Sequence, residues 1–138
     1  MSKHSKNVEI DIPLAMMIMV KANVMAYVVT AIFILLGSIV LTYTEAGSEF
    51  ESMISTVGIL CSAFLAGFDT AKIEQRNGYK WGAVGGAFYF MIFLVLGTLM
   101  DRLTHVRPSM ILLIALMILV ISSVAGIISV NTEHHKKR

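Results

Sequence analysis

Apolar residues fall along this chain in four long runs, each free of Asp, Glu, Lys and Arg: residues 22–44, 52–68, 81–100 and 108–132. None of them alternates with a period of two, the pattern a half-buried strand needs. Four strands are also too few to close a membrane barrel. A helix that crosses the hydrocarbon of a bilayer needs roughly 20 residues, with a range of about 17–25. All four runs reach that length, the second only just, and it gains helix by continuing past Asp69. The pattern predicts an all-α, polytopic membrane protein: one transmembrane domain over residues 1–138, with four helices near 14–43, 52–71, 80–100 and 108–131.

The first span is the least regular. Residues 13–20 are apolar as well, so a helix from Pro13 to Tyr43 is open to the chain. Such a helix would be about 46 Å long against a hydrocarbon core of about 30 Å. It would tilt and protrude with Lys21 snorkelling, or else residues 12–20 would lie in the interface as a separate segment. One continuous helix is the preferred reading.

Basic residues set the expected orientation. Lys3, Lys6 and Lys21 precede or open the first span, Lys72, Arg76 and Lys80 separate the second from the third, and Lys136, Lys137 and Arg138 follow the fourth. The first loop carries Glu45, Glu49 and Glu51 and no base, and the third only Arg102 and Arg107. Positive charge stays in the cytoplasm, which places both termini and the 72–80 loop inside. Tyr43, Tyr79 and Trp81 stand where an aromatic belt would lie, and Pro108 suits the first turn of a helix. Asn77-Gly78 reads as a helix break in the inner loop.

Composition agrees. The chain is 57% hydrophobic and 14% charged, against about 25% charged in soluble domains, and its mean hydropathy is +0.78. A domain of 138 residues leaves too much of its surface wet to hide so many large apolar side chains. The formal charge of +2 is too small to argue nucleic acid as a partner. Cys61 is the single cysteine, so no disulfide framework and no metal spacing is present. No cleavable signal peptide is expected, because residues 2–11 are polar and no small-residue cleavage site follows a short apolar stretch.

Chemistry is sparse. An ionisable side chain in mid-membrane would be a functional site by default, and the middle of every span lacks one. Lys21, Asp69 and Asp101 fall at expected membrane edges; Asp69 is placed to pair with Lys72 or Arg76, and Asp101 reads as a loop residue beside Arg102. His4, His105, His134 and His135 lie in tails or a loop. Ser122 and Ser123 lack a buried base and are expected to bond the backbone a turn earlier. No enzyme, cofactor or metal site is expected, and without a mid-span carboxylate no proton-coupled carrier.

The spans carry small residues at four-residue spacing: Gly58, Ser62 and Ala66, with Ala63 and Gly67 beside them; Gly82 with Gly86, and Ala83 with Ala87, within a run that includes Gly85; and Ser122 with Gly126. Helices in lipid lack a mutual hydrophobic attraction, so close backbone approach along such stripes holds them together. The simplest expectation packs the third span on the second through Gly58/Ser62/Ala66 and Gly82/Gly86.

The stretch 55–99 adds a resemblance. A second span ending Ala66-Gly67-Phe68, a short charged loop, Gly78-Tyr79-Lys80-Trp81-Gly82 and a Gly-rich third span with Phe88-Tyr89-Phe90 resemble a family of small, uncharacterised four-span membrane proteins of Gram-positive bacteria. Lys21 before the first span fits the same pattern. The resemblance implies a four-helix fold in a bacterial cell membrane and no catalytic residues. The leading expectation is a non-enzymatic membrane protein acting through helix packing, as a homo-oligomer or as an accessory subunit of a larger membrane complex, with the bilayer and other membrane proteins as partners. The alternative is a small transporter or channel with its pathway between protomers, lined by Thr30, Ser38, Ser55, Thr56, Ser62 and Ser122. A third class, holin-like or immunity-type, has no specific signal.

Overall fold

A computed structural model describes residues 11–44, 47–74, 76–101 and 106–136. They form four helices: α1 (Ile12–Thr44), α2 (Ser48–Thr70), α3 (Gly78–Leu99) and α4 (Pro108–Lys136), with a single 3₁₀ turn (Ala71–Ile73) closing α2. Among the described residues there is no strand. Each helix contains a stretch long and apolar enough to cross a membrane.

The starts and stops follow local chemistry. The carbonyl of Asp11 accepts from the Ala15 N–H at 2.9 Å, and Pro13 sits in the first turn, where its missing N–H leaves no bond unmade. α1 then continues unbroken, so residues 12–20 are the start of the first helix and no separate segment. α2 begins four residues ahead of the expected span because Glu49 and Glu51 favour the positive end of the helix dipole. Asn77 is the N-cap of α3: its carbonyl accepts from Lys80 and Trp81 at 3.1 and 3.2 Å. α4 opens on Pro108 and passes Thr132, the last residue of its apolar run.

The distribution of side-chain size is the inverse of a soluble protein's. The buried apolar positions are Ala15, Ala22, Ala26, Ala63, Ala66, Ala71, Ala125, Tyr89 and Ile118, mostly alanine. Large residues such as Leu35, Met53, Met91, Leu112 and Leu116 point outward and are more than half exposed. An outward shell of Leu, Ile, Val and Met is costly in water and suits lipid.

α2 lies against all three other helices, whereas α1 packs along α2 and touches α3 at only a few positions. The α1–α2 pair is antiparallel: Gly37 faces Ile54, Gly58 faces Phe33, and Thr30 meets Ser62. Gly78, Gly82 and Gly86 bring α3 onto α4 and not onto α2, and this corrects the pairing read from the stripes. Gly78, Gly82 and Gly86 recur every four residues along one face of α3 and abut Ser122, Gly126 and Val130 of α4. A methyl group on Gly82 would meet the Ser122 carbonyl and stand 3.0 Å from the Gly126 Cα. From α2, Gly67 meets the backbone of the same Ser122. Gly85 of α3 instead faces α2, at Ala66 and Thr70, while Gly58 and Ser62 turn to α1. Gly85 and Gly86 are neighbours in sequence and so point about 100° apart around the helix. One Gly-rich run therefore serves two partners.

Candidate functional site

Two features of the interior could carry function: a knot of hydroxyl groups joining three helices, and a groove beside it. Tyr27 and Thr30 lie one turn apart on α1 and face the bundle. The Tyr27 hydroxyl donates to the backbone carbonyl of Tyr89 on α3 at 2.8 Å. Thr30 Oγ1 donates to Ser62 Oγ of α2 at 2.7 Å and lies 3.1 Å from the Tyr89 hydroxyl. Ser62 Oγ in turn donates to the Gly58 carbonyl at 2.8 Å. The two tyrosine rings stack with centroids 4.8 Å apart and planes inclined by 26°. Tyr89 and Ser62 are fully buried. In hydrocarbon an unpaired hydroxyl is costly, so a closed set of partners fixes the positions of α1, α2 and α3 relative to one another.

Below Tyr27 on the same face of α1 lies Asn23, 1% exposed. Its Nδ2 donates to the Met19 carbonyl at 3.0 Å, and its Oδ1 is buried with no hydrogen-bond partner among the described residues. Asn23 lines an apolar groove of about 560 Å³ between α1 and α3, with Val20, Val24, Tyr27, Phe88 and Ile92 among its walls. The groove exists because α1 leans on α2 and leaves α3 almost untouched.

The residues singled out from sequence are dispersed. Ser122 is fully buried at the point where Gly67, Gly82 and Gly86 converge. Ser38 and Ser55 line a separate crevice of about 440 Å³ at the far end of α1 and α2, together with Thr42 and Glu51. Thr56 is exposed and donates to the Ser52 carbonyl at 2.8 Å. Asp69 pairs with Lys72 at 2.5 Å. Lys21 stands across from this pair, and the three line one cavity between α1 and the end of α2. Asp101 follows the last turn of α3 with φ of 53°, and its N–H donates to the Thr98 carbonyl at 3.1 Å. Asp tolerates that left-handed conformation, which ends a helix. Gln75, Arg102 and His105 lie outside the described residues, as do the side chains of His134, His135 and Lys136.

Asn23, Tyr27 and Tyr89 were missed as site residues by reasoning from sequence. One signal for Asn23 was available: Ala22 and Ala26 flank it at four-residue spacing, which marks the packed face of α1.

Four apolar helices with a small-residue interior and a lipid-compatible shell define a multi-pass integral membrane protein. The chain belongs to the family described as "Protein of unknown function (DUF3792)", whose model matches residues 15–129. No curated protein matches it, and no solved structure does.

Proposed function

We propose that this is a non-enzymatic membrane protein that works by helix packing, and that a second copy of the chain docks in the α1–α3 groove. The observation that carries the reading is the buried amide oxygen of Asn23, unpartnered at a groove lined almost wholly by apolar side chains. An amide has both donor and acceptor capacity, so two copies related by a two-fold axis can satisfy each other once the buried Asn23 side chain turns about its own torsions into the groove. Side-chain hydrogen bonds of this kind hold helices together in lipid. The dispersal of the span hydroxyls supports assembly over transport. Thr30 and Ser62 bond each other, Ser122 is wedged among glycines, and Ser38 and Ser55 line a different crevice.

The test is crosslinking in native membranes. A cysteine at Val24, in a Cys61→Ser background, is expected to give a dimer with a short bifunctional thiol reagent. Asn23→Leu should reduce the dimer fraction by about three- to tenfold, the range of one interhelical side-chain bond in lipid. Crosslinks to a different protein would assign the groove to a larger complex. Loss of all crosslinks with the wild-type Asn23 present would reject the docking role.

The orientation that accompanies this reading has both termini and residues 72–80 in the cytoplasm, with 44–51 and 102–107 outside. Its support is the distribution of basic residues. Single cysteines at Ser48 and Gln75 separate the alternatives. A membrane-impermeant thiol reagent applied to intact cells is expected to label Ser48→Cys and to leave Gln75→Cys unlabelled; the opposite pattern inverts the topology.

A further inference from the structure

We infer that the cavity at the Lys21 end of α1 and α2 is a binding site for the phosphate of an anionic lipid headgroup. It measures about 350 Å³ and is lined by Ile18, Lys21, Ala22, Met25, Asp69 and Lys72. That volume lies within the range of ligand sites, roughly 300–1,000 Å³. The inference is independent of the groove on the other face of α1.

The charge arrangement selects the ligand. Lys72 is held at 2.5 Å by Asp69 and lies 5.1 Å above the Phe68 ring, so its ammonium has a defined place at the cavity wall. Lys21, on the opposite wall, has no ion-pair partner among the described residues. Two ammoniums and one carboxylate leave the cavity one net positive charge, which matches the single negative charge of a phosphodiester. Glu74, the next acidic residue, does not cancel it. Its carboxylate accepts from Trp81 Nε1 at 2.7 Å and from Asn77 Nδ2 at 3.2 Å, which fastens the loop to α3.

The position selects the source. Lys21 stands nine residues inside the start of α1, and the α1–α2 register sets it level with the last turn of α2. The apolar walls from Ile18 and Met25 are continuous with the outward shell of α1, where Met17, Val24 and Val28 are about half exposed or more. A lipid places its phosphate between the lysines and its acyl chains along that shell. Basic pockets between membrane helices bind phosphate headgroups in this way, and the stems of both lysines can lie along apolar surface while their ammoniums reach the interface.

The experiment is native mass spectrometry of the purified full chain, released from detergent after equilibration with phosphatidylglycerol or phosphatidylcholine. Phosphatidylglycerol is expected to be retained in preference. Lys21→Gln and Lys72→Gln should each weaken its retention by about fivefold, the worth of one charge at an anionic surface. Asp69→Asn should strengthen retention, because it removes the one negative charge in the cavity. A carboxylate with a purely structural role would give the opposite sign or no change. Inorganic phosphate at millimolar concentration is expected not to displace the lipid; displacement would assign the cavity to a free anion. Equal retention of the two lipids, or retention untouched by Lys21→Gln, would overturn the inference. Circular dichroism in the same detergent confirms that each variant keeps its helix content.

Discussion

Gly82→Leu is expected to lower the denaturation midpoint of the purified protein far below that of the wild type. The first carbon of any side chain at this position would meet the Ser122 carbonyl oxygen and stand 3.0 Å from Gly126 Cα. Both contacts are backbone, so no rotamer change relieves them and α3 must move away from α4. Overpacking costs about 1–3 kcal/mol where side chains can adjust, and this substitution is expected at or above the top of that range. Gly86 offers an internal comparison. Its added carbon would collide with the Ser122 side chain, 2.6 Å from Cβ. Gly86→Ala should therefore destabilise, and Ser122→Gly should restore part of the loss, whereas the same second substitution should do little for Gly82→Leu. Titration with sodium dodecyl sulfate, followed by circular dichroism, reads the wild type and all four variants. If Gly82→Leu unfolds with the wild type, α3 and α4 are not in backbone contact.

The second large effect is expected at Tyr89. Its side chain is the largest among the fully buried ones, it stacks on Tyr27, and its hydroxyl approaches Thr30. Removing a buried aromatic side chain costs about 3–5 kcal/mol through lost packing and the cavity left behind. Tyr89→Ala should lose that much. Tyr89→Phe keeps the ring and should lose only about 0.6 kcal/mol, the mean for one interhelical hydrogen bond in a membrane protein. Thr30 retains Ser62 and the Ala26 carbonyl as partners in that variant, which keeps the loss small. The same titration separates the two. Equal losses in both variants would show that the hydroxyl network, and not the ring, joins α1 to α3.

The four helices were legible in the sequence because span length is a one-dimensional property: an uninterrupted apolar run of the right size has few other uses. Their ends were less so. Glu49 and Glu51 interrupt the apolar pattern yet stabilise the first turn of α2, so charge there extends the helix instead of ending it. Small-residue stripes identified packed faces without naming their partners. Gly85 and Gly86 differ by one residue and serve different helices, and hydropathy holds no information on which helix stands opposite. The polar knot was out of reach for a related reason. Tyr27 and Tyr89 are joined across 62 positions of chain, and neither tyrosine differs in local setting from an ordinary membrane aromatic. Asn23 was different: an amide inside an apolar run, between two alanines on one helix face, is a signal that composition averages away.

The small interior and large exterior of this bundle also bear on how its stability responds to temperature. In a soluble domain, unfolding exposes apolar surface to water, which raises the heat capacity and bends stability into a dome with a maximum near room temperature. Here Leu35, Leu112, Leu116 and their neighbours already face outward when the protein is folded. Separating the helices within a bilayer brings alanine, glycine and hydroxyl surfaces into contact with lipid, and little new hydrocarbon meets water. The heat-capacity change of helix separation is then small, and stability falls almost linearly on warming, with no fading of the fold in the cold.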